Sequence, residues 1–277
     1  MKTINLAYSD LYNAGDLMNV DIVEKLSGCK VKRSRTFSAD MIAIGGALFG
    51  LQYSDNIGHN AIQHILKVFY QNKPIYVWGS GFWHNNNNHG LYRTNLKVCA
   101  LRGARSQKKL YDLTGKKYDV PLADAGLLID LLISKNNIIP KYKIGLIPHM
   151  SQQNDTVINI FSKRDEVHII DIQRPPQEVG KEIAECESIV SSSLHGLIFA
   201  DSLHIPNIHI RCKHDLPEGN FKFEDYYSSY GLGDEGLFLE DYMPTYQDII
   251  DCYKIDAQLV EEKKKELIDS FPKFEGE

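Results

Sequence analysis

One pattern governs the chain: a short β-rich run, a turn of glycine, serine or proline, then apolar residues at helical spacing. Residues 3–8 alternate and pass through Asn13-Ala14-Gly15-Asp16 into a helical run carrying Leu17, Val20, Val23 and Leu26. Residues 41–44 end in Gly45-Gly46 and precede a helical pattern over 57–70. Residues 74–78 close on Gly79-Ser80-Gly81, and residues 96–101 lead through Arg102-Gly103-Ala104-Arg105-Ser106 into another helix. A short extended run, 119–122, meets Ala123-Asp124-Ala125-Gly126 and the apolar stretch 127–133. Strands separated by helices cannot pair as hairpins, so the pattern predicts an α/β fold with parallel sheets and right-handed crossovers.

Residues 134–143 are polar, contain Pro140 and interrupt the periodicity, after which the alternation restarts. Strands are expected over 144–147, ending in Pro148-His149-Met150, and over 167–172, with helices over 155–162 and from Pro175-Pro176 to 186. Residues 188–210 then read as strand, three serines, Leu194-His195-Gly196, helix and strand. A long amphipathic helix is expected from 246 to about 271. At 277 residues the chain suits two domains, 1–138 and 139–245, with 246–277 packing back on the first.

The net charge of −5 provides no overall basic field for nucleic acid or an anionic membrane, so an anionic ligand needs locally placed cations. The five cysteines are scattered and lack metal-site spacing, which points to a reducing, cytoplasmic setting without a bound metal. His84 and His89 flank an asparagine tract but have no cysteine or carboxylate neighbours at ligand spacing. The amino terminus lacks a signal-like apolar region, and no apolar run approaches the ~20 residues of a membrane span.

In open α/β sheets, ligands gather where a strand's carboxyl end meets the next helix, because unpaired N–H groups point outward there. His195 falls at such a junction. With an unperturbed pKa of about 6.5, an imidazole there can exchange protons at neutral pH, or it can simply cap the helix. Ser191, Ser192 and Ser193 add donors, so an anion can sit beside the ring. Arg102 and Arg105 occupy another junction, as ligand-binding forks or as solvated surface residues. Asn13, Gly15 and Asp16 form either a ligand loop or a turn. The chain has no G-x-S-x-G elbow or Walker loop, and no G-x-G-x-x-G follows the first strand, which argues against those mechanisms and folds.

The motifs taken together resemble the polysaccharide pyruvyltransferases, in particular the exopolysaccharide ketal-pyruvate group. They are Asn13-x-Gly15-Asp16, Gly45-Gly46, Val77-Trp78-Gly79-Ser80-Gly81, Leu101-Arg102-Gly103 with Ser106, Ala123-Asp124-Ala125-Gly126, Gly145-Leu146-Ile147-Pro148-His149, Ser191-Ser192-Ser193-Leu194-His195-Gly196, and Lys222-Phe223-x-Asp225-Tyr226-Tyr227. The resemblance implies two Rossmann-like domains in a GT-B-like arrangement with a ligand cleft between them. It implies phosphoenolpyruvate as donor and a saccharide diol, often carried on lipid in such pathways, as acceptor. The product is then a cyclic pyruvate ketal with release of phosphate, made in the cytoplasm or at the membrane surface without a further cofactor.

By the same resemblance, His195 is the catalytic acid and His149 a second candidate that otherwise orients ligand. Asn13 and Asp16 bind acceptor hydroxyls or supply a base, and Gly15, Ser192, Ser193, Leu194 and Gly196 complete the substrate-binding set. The family often has arginine where this chain has Ser193, so the missing cation is sought in Arg102, Arg105, Lys222 or Arg211. The rival readings are a GT-B glycosyltransferase using a nucleotide sugar and a carbohydrate- or phosphate-binding protein without catalysis.

Overall fold

The computed structural model describes residues 2–9, 13–85, 90–134, 138–212, 219–234, 236–239 and 242–274. The first half runs β1 (Thr3–Ala7), α1 (Ala14–Ser27), β2 (Lys30–Arg33), β3 (Met41–Ile42), a 3-10 turn at Ala47–Leu51, α2 (Ile57–Tyr70), β4 (Ile75–Val77), β5 (Leu96–Val98), α3 (Ala104–Thr114) and a second 3-10 segment at Ala125–Leu131. The second half runs β6 (Tyr142–Ile147), α4 (Thr156–Phe161), β7 (Val167–Ile169), α5 (Pro176–Ala184), β8 (Cys186–Ser191), α6 (Leu194–Ser202), β9 (Asn207–Arg211), α7 (Phe221–Ser228) and β10 (Leu237–Phe238). Two helices, α8 (Tyr246–Cys252) and α9 (Ala257–Asp269), follow.

The strands form two five-stranded parallel sheets, ordered β2-β1-β3-β4-β5 and β10-β9-β8-β6-β7. Counted from its own first strand, each sheet has the same order, 2-1-3-4-5, and both are Rossmann-like units flanked by helices. Each unit has a hydrophobic cluster on one side, and a larger one is common to both. One hydrophobic cluster runs from Ile4, Leu6 and Ile22 through Leu127 and Ile129 to Ile147, Leu197 and Phe199. Helix α6 has every residue from Leu194 to Ser202 buried, its apolar run 197–200 packing all round and His195, Asp201 and Ser202 buried with it. Ser202 Oγ in α6 donates to the carbonyl of Leu127.

The sequence pattern failed at edges and breaks. β2 carries a single apolar residue, Val31, and β10 has only two residues, so neither shows periodicity. Helix α1 begins at Ala14, three residues before the expected start, because Asn13 caps it by accepting the Gly15 N–H at 3.0 Å. The long carboxy-terminal helix is instead two helices. Tyr253 turns extended, and Asp256 starts α9 by accepting the N–H groups of Gln258 and Leu259. α9 is tied to the first half by Trp78 Nε1 donating to the Leu267 carbonyl at 2.9 Å and by Lys263 Nζ donating to the Leu122 carbonyl at 2.8 Å. Helix α2 has no buried residue and turns Ile62, Ile65, Val68 and Phe69 outward.

Candidate functional site

An open parallel sheet offers a crevice where its strand order reverses, beyond the carboxyl ends of the two strands flanking the reversal. Those strands are β1 and β3 in the first sheet, β6 and β8 in the second. The chain beyond all four ends converges on one cavity of about 230 Å³. Asn13 and Asp16 follow β1, Gly45 and Gly46 follow β3, His149, Met150 and Ser151 follow β6, and Ser193, Leu194 and His195 follow β8. Trp83, Arg102 and Lys222 complete the wall. The two halves are tied at this point, since the Ala14 N–H at the start of α1 donates to the Ile172 carbonyl at 2.8 Å.

His195 lies in the first turn of α6, 8% exposed, with its ring against the first turn of α1. A Cβ on Gly15 would fall 2.0 Å from Nδ1 and 2.1 Å from Cγ, so only glycine permits the ring to lie there. The other edges of the ring face Gly45 and Gly126: Cβ atoms there would lie 3.7 Å from Cε1 and 3.5 Å from Cδ2. Nε2 is buried without a hydrogen-bond partner among the described residues, so His195 does not cap its own helix through that nitrogen. An unsatisfied buried nitrogen costs roughly 1–3 kcal/mol and marks a place that a ligand or water completes. Burial, with Lys222 and Arg102 adding repulsion, pushes the imidazole down to about 3, which leaves it neutral.

Asp16 stands beside the ring, its Oδ1 3.5 Å from the position a Gly45 Cβ would take. Burial pushes its carboxyl up to about 7, opposed by Lys222 and reinforced by Asp124. Asp124 is wholly buried and accepts the Gly126 N–H at 2.8 Å. Burial raises its carboxyl to about 6, Arg102 and the Gly126 and Gly45 amides opposing the rise while Asp225 adds to it. Two carboxyls held above the usual carboxylate range therefore adjoin a neutral imidazole.

The expected cations are used unequally. Lys222 in α7 lines the cavity and lies close enough to depress both His195 and Asp16. Arg102 also lines it, yet the guanidinium is buried and its Nε donates to Asp225 Oδ2 at 2.8 Å. Asp225 also accepts the Ser106 N–H at 2.7 Å and its hydroxyl at 2.6 Å, so this arginine joins α7 to the first half. Arg105 is half exposed, pairs with Glu224 at 3.0 Å and stays outside the cavity. Arg211 pairs with Asp234 at 2.7 Å, also away from it.

Among the remaining candidates, Asn13, His149, Ser193 and Leu194 line the cavity. His149 Nδ1 lies 2.8 Å from Ser151 Oγ. Ser192 and Gly196 do not line it. Ser192 Oγ accepts the His149 N–H at 2.9 Å and so positions that loop. Gly196 is a packing glycine, as a Cβ would fall 2.5 Å from Ser191 Oγ. His84 packs edge-on against Phe49, while His89 lies outside the described residues. Among the described residues no group of three or more His, Cys, Asp or Glu is placed to hold a metal ion. Among them, too, no helix is long and apolar enough to cross a membrane.

Residue reasoning did not single out Trp83 or Asp124. Asp124 had a signal in its Ala-Asp-Ala-Gly turn, whereas an aromatic after a glycine turn has none that separates a site residue from a core one.

An alignment 166 positions long, covering 54% of this chain and 55% of the relative's length, shows 36% identity to the uncharacterized protein L143 of Acanthamoeba polyphaga mimivirus. The family profile named polysaccharide pyruvyl transferase matches residues 4–214, which include every cavity residue named above except Lys222. The chain belongs to the polysaccharide pyruvyl transferase family.

Proposed function

We infer that the cavity binds phosphoenolpyruvate and transfers its enolpyruvyl group to a saccharide diol, forming a pyruvate ketal and releasing phosphate, in polysaccharide biosynthesis. The observation that carries this reading is the convergence of one ammonium, one imidazole nitrogen without a partner among the described residues, and one carboxyl of neutral pKa in a cavity sized for a small molecule. The donor's carboxylate and phosphate are anions, and they seat against Lys222 and the field of Arg102. Binding them offsets the repulsion from Lys222 and Arg102 and sets negative charge beside the ring, and this attraction works against the larger effect of burial, so that the imidazole gains its proton together with the donor.

Protonated His195 then delivers a proton to the methylene carbon, making C2 electrophilic. Asp16, ionised, takes the proton of the first attacking hydroxyl. Phosphate leaves, and the second hydroxyl closes the ketal. Of the two hydroxyl protons, one ends on the new methyl group and the other departs with phosphate. Asp16 and His195 both border Gly45, which suits a return of the proton from carboxyl to imidazole. Five free cysteines support a reducing, cytoplasmic compartment.

His195→Gln tests the reading, because glutamine keeps a polar side chain but cannot hold the proton. Phosphate release from phosphoenolpyruvate with a saccharide acceptor, and the ketal itself by mass spectrometry, are expected to fall at least 100-fold, in line with a general-acid contribution of ~10² to 10⁴. Turnover near the unsubstituted rate removes His195 from the chemistry. A thermal shift with nucleotide sugars and none with phosphoenolpyruvate replaces the donor.

A further inference from the structure

A second and larger cavity, about 660 Å³, adjoins the first, and Asp16, Gly46 and Trp83 line both. Its far wall carries Arg33 and Arg35, at and just beyond the end of β2, and Phe49. Trp83 is held in place from below. A Cβ on Gly46 would fall 1.8 Å from its Cδ1, and Phe49 stacks on it with centroids 5.9 Å apart and planes 13° apart. Both rings nonetheless remain well exposed, Trp83 at 40% and Phe49 at 42%. A fixed, exposed aromatic pair bordering a cavity suits the apolar C–H face of a pyranose.

The arginines add a second requirement. They belong to the run Lys30-Val31-Lys32-Arg33-Ser34-Arg35, a basic stretch in a chain of net charge −5. Arg33 lies over the Tyr8 ring at 5.9 Å, and Arg35 has no ion-pair partner among the described residues. A neutral sugar alone does not call for two guanidinium groups, whereas a phosphate or diphosphate matches their planar forks.

We propose that this cavity is the acceptor site and takes a sugar joined to a phosphate or diphosphate, with the pyranose on Trp83, its hydroxyl pair toward Asp16 and the phosphate on Arg33 and Arg35. The proposal rests on the pyruvyltransferase reading for the word acceptor. The same chemistry is present in a lipid-linked and in a nucleotide-linked sugar. Asp16, shared by the two cavities, stands where the donor's reactive carbon and the acceptor's hydroxyl meet.

The test uses the full chain and the fluorescence of Trp83, because the second tryptophan, Trp78, is wholly buried. The probes are free hexoses, their 1-phosphates, and hexosyl diphosphates whose far group is uridine or a ten-carbon isoprenoid. Phosphorylated probes are expected to shield Trp83 from acrylamide at concentrations at least tenfold below those of the free hexoses. Arg35→Gln, an exposed substitution, is expected to erase that advantage while the affinity for phosphoenolpyruvate stays unchanged. A preference between the uridine and isoprenoid forms identifies the source. Equal binding of free and phosphorylated sugars, no shielding by any probe, or an unaltered advantage in Arg35→Gln overturns the proposal. Absence of phosphoenolpyruvate binding, with the phosphate advantage intact, overturns the donor assignment and leaves the sugar-phosphate site standing.

Discussion

Gly15→Ala separates the catalytic geometry from the stability of the fold. Gly15 is the second residue of α1, and in a helix alanine is intrinsically better than glycine by about 1 kcal/mol. On propensity alone the variant gains stability. The new methyl group, however, would stand 2.0 Å from His195 Nδ1, 2.1 Å from Cγ and 2.4 Å from Cε1. Ordinary contact requires 3.4 Å or more, so ring and helix must part by over an ångström. The ring has little room to yield, with Gly45 and Gly126 close to its other edges. Overpacking of this kind costs ~1–3 kcal/mol, which offsets or exceeds the helix gain. A displacement of ~1 Å at a reacting group costs ~10²-fold in rate. Gly15→Ala is therefore expected to change the urea-unfolding free energy by no more than about 2 kcal/mol, to move the His195 ring signals in NMR, and to lower ketal formation about 100-fold. A variant that is more stable by the full helix gain, with unmoved His195 signals and unchanged turnover, refutes the packing of the imidazole on Gly15.

Two further outcomes follow from buried charge. Asp225→Asn leaves Arg102 buried without its carboxylate and is expected to cost ~3–5 kcal/mol in urea unfolding; a loss under about 1 kcal/mol shows that the pair does not join α7 to the first half. Asp201 is buried and accepts from Tyr226, Tyr253 and Asn207, and burial, only partly offset by those bonds, raises its carboxyl from 3.8 to about 6. The native state then holds this proton more tightly than the unfolded chain, so its contribution is full below pH 3.8 and declines as pH rises to about 6. Asp201→Asn is expected to remove a decline on the order of 3 kcal/mol from stability measured across that window, and parallel pH profiles of the two proteins would contradict it.

The strand, turn and helix order was legible because each turn carries glycine or serine and each buried strand is apolar, as at β8 and Ser191-Ser192-Ser193. β2 was not, because an edge strand with exposed alternate residues needs no apolar face. His195, Asn13 and Asp16 could be placed at ligand edges from position alone, since a strand's carboxyl end fixes where the next residues emerge. Which cations reach the cavity could not. Arg102 and Arg105 share one motif, yet one is buried against Asp225 and the other meets Glu224 at the surface. Those partners lie 123 and 119 residues away, a separation that no local pattern encodes. Ser192 and Gly196 flank the cavity residues in sequence but face elsewhere, Ser192 onto the His149 N–H and Gly196 onto the Ser191 and Ile147 side chains, because a tight turn sends neighbouring residues in different directions.

The seating of Asp225 on Arg102 also bears on how much chain makes up the working unit. Residues 4–214 carry the family pattern, but α7 lies beyond them and supplies both Lys222 and the carboxylate that neutralises Arg102. A graft or minimal version that stops at 214 therefore discards the cavity's ammonium and exposes an unpaired guanidinium in its wall. In this protein the unit that can be cut, swapped or transplanted extends at least through Ser228.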